Sequence, residues 1–134
     1  MIVLDTSFLV AFHNSRDVHH AAARPLMNEL VAGKWGPALL LEYVFLEVTT
    51  VLLVRRNLNV ACSVASILLQ AREVDFVPCS ELFIDTLETF RNQSGTAFSF
   101  VDAAIITAAR RYDARHIATF DREFADLKGI TVVR

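Results

Sequence analysis

The chain has 134 residues, of which 54% are apolar and 21% charged, and its formal net charge is −2. This length predicts one domain spanning residues 1–134, with enough apolar residues for a packed core. The low net charge, together with few Gly and Pro residues, excludes a disordered, collagen-like or low-complexity chain. The arginine pairs Arg55-Arg56 and Arg110-Arg111 fall where helices are expected to end, and the carboxyl end of a helix favours positive charge. Contact of these arginines with phosphate groups is an alternative that stays open.

Neither a membrane span nor a disulfide framework is predicted. The longest apolar stretch, residues 38–54, is shorter than the roughly 20 residues of a span and contains Glu42 and Glu47, so it indicates a buried helix. Cys62 and Cys79 belong to neither a CxxC nor a CxxH pair, and their neighbours suit small buried residues. No signal-peptide pattern begins the chain. We therefore expect a cytoplasmic protein without membrane contact.

Short apolar runs alternate with helical patterns along the whole chain. The predicted strands cover residues 2–4, 38–40, 74–78, 116–119 and 130–133. The predicted helices cover residues 8–12, 17–32 (capped by Asp17, with a kink or break at Pro25), 41–56, a segment around 64–71, a segment capped by Ser80, 100–111 and 121–127. This alternation predicts an α/β fold, a three-layer α/β/α sandwich with a mostly parallel central sheet. Ligands of such sheets bind beyond the carboxyl ends of the strands, near the topological switch point.

Four acidic residues stand where that site is expected. Asp5 follows the first predicted strand directly, and Asp121 follows the fourth with one residue between. Asp102 lies in the first turn of an almost wholly apolar helix, and Glu47 lies in the middle of the long apolar helix. Carboxylates that converge repel one another unless a cation neutralises them, and oxygen ligands favour Mg²⁺ or Mn²⁺ over zinc.

Most of these acids also have a purely structural interpretation. Asp5 and Asp121 suit helix N-caps, and Ser99 with Asp102 matches a capping box. Glu47 is harder to explain in this way, because a lone carboxylate among apolar residues in mid-helix needs a partner or a metal.

Glu42 lies in the first turn of its helix, where the helix dipole favours an acid, and it points about 140° away from Glu47.

Other motifs exclude several enzyme classes. No Gly-rich phosphate loop and no HExxH motif are present, which excludes dinucleotide and P-loop chemistry and that class of zinc site. A phosphotransferase of the haloacid-dehalogenase type would need Asp where Ser7 stands, and a receiver domain would need a later Lys after an apolar strand.

Read in order, four segments resemble the PIN-domain nucleases, and especially the VapC-like toxins of toxin–antitoxin pairs. They are VLDTS at residues 3–7, LEV at 46–48, SFVDAAI at 99–105 and ATFDREF at 118–124. Together they span nearly the whole chain in the family's order. The resemblance implies a metal-dependent endoribonuclease that hydrolyses RNA phosphodiester bonds as the toxin of such a pair.

The resemblance also implies roles for particular residues. One acidic pocket would act in catalysis and hold Mg²⁺ or Mn²⁺, and it would consist of Asp5, Glu47, Asp102 and Asp121. Asp5 and Asp102 would be the main metal ligands. The hydroxyls of Thr6 and Thr119 would orient water or ligands, and Arg122 would guide the RNA backbone. The implied partners are RNA, a cognate antitoxin and a second copy in a homodimer.

Several alternatives stay open. The chain is also consistent with a catalytically silent PIN-like module for RNA binding or dimerisation, and with a DNA-directed nuclease. The number of metal ions and the identity of the RNA are open as well, and Asp121 is either a ligand or a helix cap.

Overall fold

A five-stranded sheet forms the centre of the protein, described by a computed structural model of residues 1–134. Its strands are β1 (Ile2–Leu4), β2 (Ala38–Leu41), β3 (Val74–Val77), β4 (His116–Ala118) and β5 (Thr131–Val133). Their order is β3-β2-β1-β4-β5, and every neighbouring pair is parallel. Every residue of β1 and β2 is buried, so both faces of the sheet are covered at its centre. The predicted α/β/α sandwich is confirmed, with a sheet that is parallel throughout.

Six α-helices surround this sheet. They are α1 (Thr6–His13), α2 (His20–Val31), α3 (Glu42–Arg55), α4 (Leu58–Gln70), α5 (Phe83–Arg91) and α6 (Phe100–Arg111), with short 3₁₀ helices at Ser80–Leu82 and Arg122–Asp126. The predicted capping box of Ser99 and Asp102 begins α6, and all residues from 103 to 109 of that helix are buried. None of the helices combines the length and the apolar character that crossing a membrane would require.

One apolar core of 33 buried residues joins the sheet to its helices. Its largest fully buried side chains include Phe8 of α1, Leu40 of β2, Ile105 of α6 and Phe124 of the last 3₁₀ helix. Of these elements, α1 and α6 also carry polar residues at the carboxyl edge of the sheet. The packing therefore holds that edge rigidly.

The beginning and the middle of α2 differ from the prediction. The helix starts at His20, because Asp17 accepts a hydrogen bond from the backbone N–H of His19 in a turn before the helix. The helix also continues unbroken through Pro25. The lost backbone donor would have paired with the carbonyl of Ala21, an exposed residue whose carbonyl water can reach.

Two further predictions were wrong. Ser80 makes no side-chain cap; it begins a 3₁₀ turn, and Glu42 instead accepts a hydrogen bond from the backbone N–H of Cys79 at 2.9 Å. Cys79 is buried as expected, but Cys62 is exposed on α4. Cys62 lies on the helix face opposite the one that carries the buried Val64 and Leu68.

Candidate functional site

The strand order places a switch point between β1 and β4. The chain leaves β1 towards β2 on one side, and it later returns to add β4 on the other side. Asp5 follows β1 and Thr119 follows β4, and the backbone N–H of Asp5 donates to the carbonyl of Ala118 at 3.0 Å. The residues after these two central strands are therefore neighbours at the edge where parallel sheets bind ligands.

A cavity of about 370 Å³ opens at this edge. Its acidic lining consists of Asp5, Asp17, Glu47, Asp102 and Asp121. The remaining lining residues are Thr6, Ser7, Val10, His19, Val51, Arg55 and Ser99. The structure thus brings the four predicted acids together around one space, although they belong to four separate segments of the chain.

Asp5 is the most deeply placed of these acids, with 5% of its surface exposed. Its Oδ2 accepts hydrogen bonds from the hydroxyl and the backbone N–H of Ser7 and, at 2.7 Å, from the hydroxyl of Thr119. Burial raises the pKa of Asp5 above its usual value, and the hydrogen bonds from Ser7 and Thr119 only partly oppose that rise. An ionised Asp5 is therefore under-stabilised by the protein alone, and a bound cation would stabilise it.

Asp102 forms the predicted capping box and also lines the cavity. Its Oδ2 accepts a hydrogen bond from the backbone N–H of Ser99 at 2.8 Å, while Ser99 Oγ accepts one from the N–H of Asp102 at 3.1 Å. Burial raises the pKa of Asp102, and the negative charges of Asp5 and Asp121 add to the rise. The acids are thus close enough for one to disfavour the ionisation of another.

Glu47 and Asp121 complete the acidic lining. Thr6 Oγ1 donates to Glu47 Oε2 at 2.7 Å, so the predicted hydroxyl of Thr6 holds an acid of the cavity. Glu47 itself is exposed at the cavity mouth, because this face of α3 borders the cavity and does not pack on the core. Asp121 uses Oδ1 to cap the following 3₁₀ helix, accepting from the backbone N–H of Glu123 at 2.9 Å, and it also lines the cavity.

One pattern is common to the four carboxylates. Each has one oxygen that accepts hydrogen bonds from the protein and a second oxygen that accepts none. Four such oxygens form the donor set that a hard divalent cation prefers, so the residues fit Mg²⁺ or Mn²⁺ in their chemistry. No three acidic, histidine or cysteine side chains are arranged to hold an ion as they stand.

Glu42, the competing glutamate of α3, is engaged elsewhere. It is half-buried, does not line the cavity, and accepts the hydrogen bond from Cys79 at the start of the 3₁₀ turn. Its role is therefore structural, as its position in the first helical turn indicated.

The arginine at the cavity is Arg55 of α3, while Arg122 lies elsewhere. Arg122 is exposed beside a second cavity, together with Glu123 and Asp126. Arg55 is 60% exposed in its side chain, and its guanidinium lies 3.9 Å from Asp17 Oδ2.

The spacing of residues along α3 could have indicated that Arg55 lies on the same helix face as Glu47. Glu47, Val51 and Arg55 are spaced by four residues and so share one helix face. Ser7, Asp17 and His19 were also missed as cavity residues, and only the packing of α1 and the turn before α2 reveals them.

Comparison with known proteins identifies the family. The PIN domain model matches residues 2–130, and the chain belongs to the PIN domain family. No curated protein sequence matches the chain.

Solved structures, one of them of a toxin, have the same fold. VapC20 of Mycobacterium tuberculosis, described as a toxin that cleaves the Sarcin-Ricin loop, is 27% identical, with a TM-score of 0.87 over 100% of this chain and 99% of that one. VapBC2 of Rickettsia felis, bound to a DNA fragment from its promoter, is 18% identical, with a TM-score of 0.71 over 99% and 98% of the two chains. FitAcB of Neisseria gonorrhoeae is 14% identical, with a TM-score of 0.67 over 100% and 97%.

Proposed function

We propose that the protein is a metal-dependent endoribonuclease that hydrolyses RNA phosphodiester bonds. The observation that carries the proposal is the convergence of four carboxylates, each with a free oxygen, at the switch point of a PIN-domain sheet. Uncompensated acids at one cavity repel a phosphate, so such a site serves nucleic-acid chemistry only with cations present. Asp5 and Asp102 would be the main ligands, with Glu47 and Asp121 completing the shell.

The chemistry that Mg²⁺ or Mn²⁺ supplies when bound is Lewis acidity, which acidifies a water nucleophile and offsets charge on phosphate oxygens. The chain's own groups prepare the site for it. Ser7 and Thr119 hold Oδ2 of Asp5, which leaves Oδ1 free for a ligand. Ser99 and Thr6 hold one oxygen each of Asp102 and Glu47 in the same way.

Arg55 is the residue that we propose to hold an RNA phosphate at the mouth of the cavity, in addition to the predicted guidance by Arg122. The guanidinium of Arg55 is exposed and lines the same cavity as the acids. A phosphate contact releases counterions, so loss of one such contact lowers the slope of log K against log salt by about 0.7 for single-stranded RNA. Arg55→Ala should show this change, and Arg72→Ala should not, because Arg72 is exposed beside the opposite, amino-terminal edge of the sheet.

We further propose that the protein is the toxin of a toxin–antitoxin pair and forms a homodimer. VapC20 supports the toxin assignment, and its activity makes the Sarcin-Ricin loop the first RNA to test. Exposed apolar side chains on α3 and α4, among them Val54 and Leu58, provide surface for a protein partner. The mass of the purified protein in solution tests the dimer.

The decisive experiment is cleavage of single-stranded RNA and of the Sarcin-Ricin loop with Mg²⁺, Mn²⁺ or a chelator. Asp5→Asn keeps an acceptor for Ser7 and Thr119 but places an amide where the cation needs a carboxylate oxygen. We expect metal-dependent cutting by the wild type, none by Asp5→Asn, and full activity in Asp75→Asn, which changes an exposed Asp of β3.

Two other results would change the proposal. Binding of RNA without cutting would favour the silent PIN-like module, and cutting that survives Asp5→Asn would place the active site elsewhere. Induced expression in bacteria tests the toxin assignment: the wild type should arrest growth and Asp5→Asn should not.

A further inference from the structure

A histidine ring lies flat on a phenylalanine ring at the rim of the acidic cavity. The ring centroids of His19 and Phe120 are 4.5 Å apart, and the two planes differ by only 2°. Phe120 in turn stacks at 6.3 Å on Phe8, one of the largest fully buried side chains of the core. Phe120 therefore links the imidazole of His19 to a buried aromatic side chain of the core.

Backbone hydrogen bonds tie both residues to the acidic cavity. The backbone N–H of His19 donates to Asp17 Oδ1 at 2.9 Å, and Asp17 is the residue that faces Arg55. The backbone N–H of Phe120 donates at 2.9 Å to Ser7 Oγ, the hydroxyl that holds Asp5. The position of the stacked pair is thus coupled to that of the proposed metal ligand.

The outer face of His19 has no partner in the protein. His19 is exposed and lines the cavity, Phe120 covers one face of its ring, and neither ring nitrogen makes a hydrogen bond. The next residue, His20, differs: its Nδ1 lies 2.8 Å from the carbonyl oxygen of Ala11, which is a structural contact. The fold therefore uses the ring of His20 and leaves one flat face of His19 open beside the acids.

We propose that His19, stacked on Phe120, binds an unpaired nucleobase of the RNA next to the phosphate that is cut. Flat, sequence-tolerant stacking on aromatic side chains is how proteins hold splayed bases, and a base within a duplex does not offer a free face. The inference rests on the proposed function, since it takes the scissile phosphate to lie in the acidic cavity. It makes the substrate a single strand or a loop.

Fluorescence of 2-aminopurine tests the stacking directly. We would place this base at successive positions of a single-stranded RNA and saturate the RNA with protein, in the presence of Mg²⁺ and with Asp5→Asn in every protein to prevent cutting. One labelled position should be quenched on binding. His19→Ala should abolish that quenching and weaken binding about five- to 150-fold, the range for loss of one stacked base.

Two control variants separate stacking from a structural effect. His19→Tyr keeps an aromatic face and should retain the quenching, and Val18→Ala changes the neighbouring side chain, which is 90% exposed and outside the cavity. An RNA that lacks the base at the quenched position should bind equally well, within about twofold, to proteins with and without His19→Ala. Equal losses on the intact and abasic RNAs would overturn the proposal, as would an absence of quenching at every position.

The cleavage assay separates this proposal from the one on which it rests. If the wild type cuts RNA with metal and His19→Ala changes neither quenching nor binding, the proposed nuclease function stands and the proposed stacking on His19 is wrong. If His19 quenches the labelled base but the wild type never cuts, the stacking stands and the proposed nuclease function is wrong.

Discussion

Removal of the Ser7 hydroxyl tests the hydrogen-bond network beneath the acidic cavity. In the wild type this hydroxyl donates to Asp5 Oδ2 and accepts from the backbone N–H of Phe120. Ser7→Ala therefore removes one bond to a buried carboxylate and leaves a partly buried N–H without a partner. Each loss is worth about 1–3 kcal/mol, and because the two share one atom we expect about 2–4 kcal/mol in total.

The expected loss is large for a domain of this size. For a chain of 134 residues, 1 kcal/mol corresponds to about 3–5 °C in Tm, so a loss of about 2–4 kcal/mol should make Ser7→Ala melt about 6–20 °C below the wild type. Calorimetry of the metal-free protein at neutral pH measures the difference. Ser66→Ala is the matched control, since Ser66 is exposed on α4 and makes no side-chain hydrogen bond, and it should leave Tm nearly unchanged.

The same substitution should also shift the pH dependence of cleavage. The Ser7 hydrogen bonds lower the pKa of Asp5, so losing the hydroxyl raises that pKa further. A smaller fraction of Asp5 is then ionised at a given pH, and the acidic limb of the rate profile moves to higher pH. A Tm within about 2 °C of the wild type, together with an unmoved acidic limb, would refute this account of the network.

Three further predictions address the acids and one orphaned hydroxyl. Burial raises the pKa of Asp5, so without metal the folded state holds the Asp5 proton more tightly than the unfolded state does, and the contribution of Asp5 to stability grows as pH falls through the raised pKa towards 3.8. Asp5→Asn should remove this pH dependence, as measured by urea unfolding. The same variant should lose the roughly 2.7 kcal/mol of stabilisation that the wild type gains when the metal concentration is 100 times its dissociation constant. Glu47→Gln should impair cleavage with little effect on Tm. Glu42→Ala should leave cleavage intact and reduce the free energy of unfolding by about 1–2 kcal/mol, because the partly buried N–H of Cys79 loses its acceptor. The reverse pattern would show that the roles of the two glutamates have been exchanged. Thr86→Val should raise the free energy of unfolding by about 1 kcal/mol, since the buried hydroxyl of Thr86 has no hydrogen-bond partner, and a loss of stability would mean that this hydroxyl is satisfied.

Local chemistry carried much of the prediction. Contiguous apolar runs such as residues 2–4 and 38–41 are long enough only for buried strands, and their alternation with helices permits few arrangements besides a covered parallel sheet. The capping box of Ser99 and Asp102 is likewise a property of four adjacent residues, and it forms as predicted.

The composition of the cavity depended on the tertiary structure. Asp17 looked like a helix cap, yet the turn before α2 brings it to Arg55, 38 positions along the chain. Arg122 is adjacent in sequence to an acid of the cavity, but the 3₁₀ helix places it beside a different cavity. Neighbours in sequence can point to opposite sides of a backbone, whereas residues far apart meet wherever packing brings their elements together.

The sequence by itself determined the sheet, its helices and the positions of the four acids along these elements, because strand burial, helix caps and the direction of parallel strands are set by short-range chemistry and chain direction. Only the tertiary structure decided that Ser7 and Thr119 hold Asp5, that Glu47 lies at an open cavity mouth, and that His19 stacks on Phe120. Those contacts join residues up to 114 positions apart. They form only once burial of the apolar core has fixed β1, β4 and α3 relative to one another.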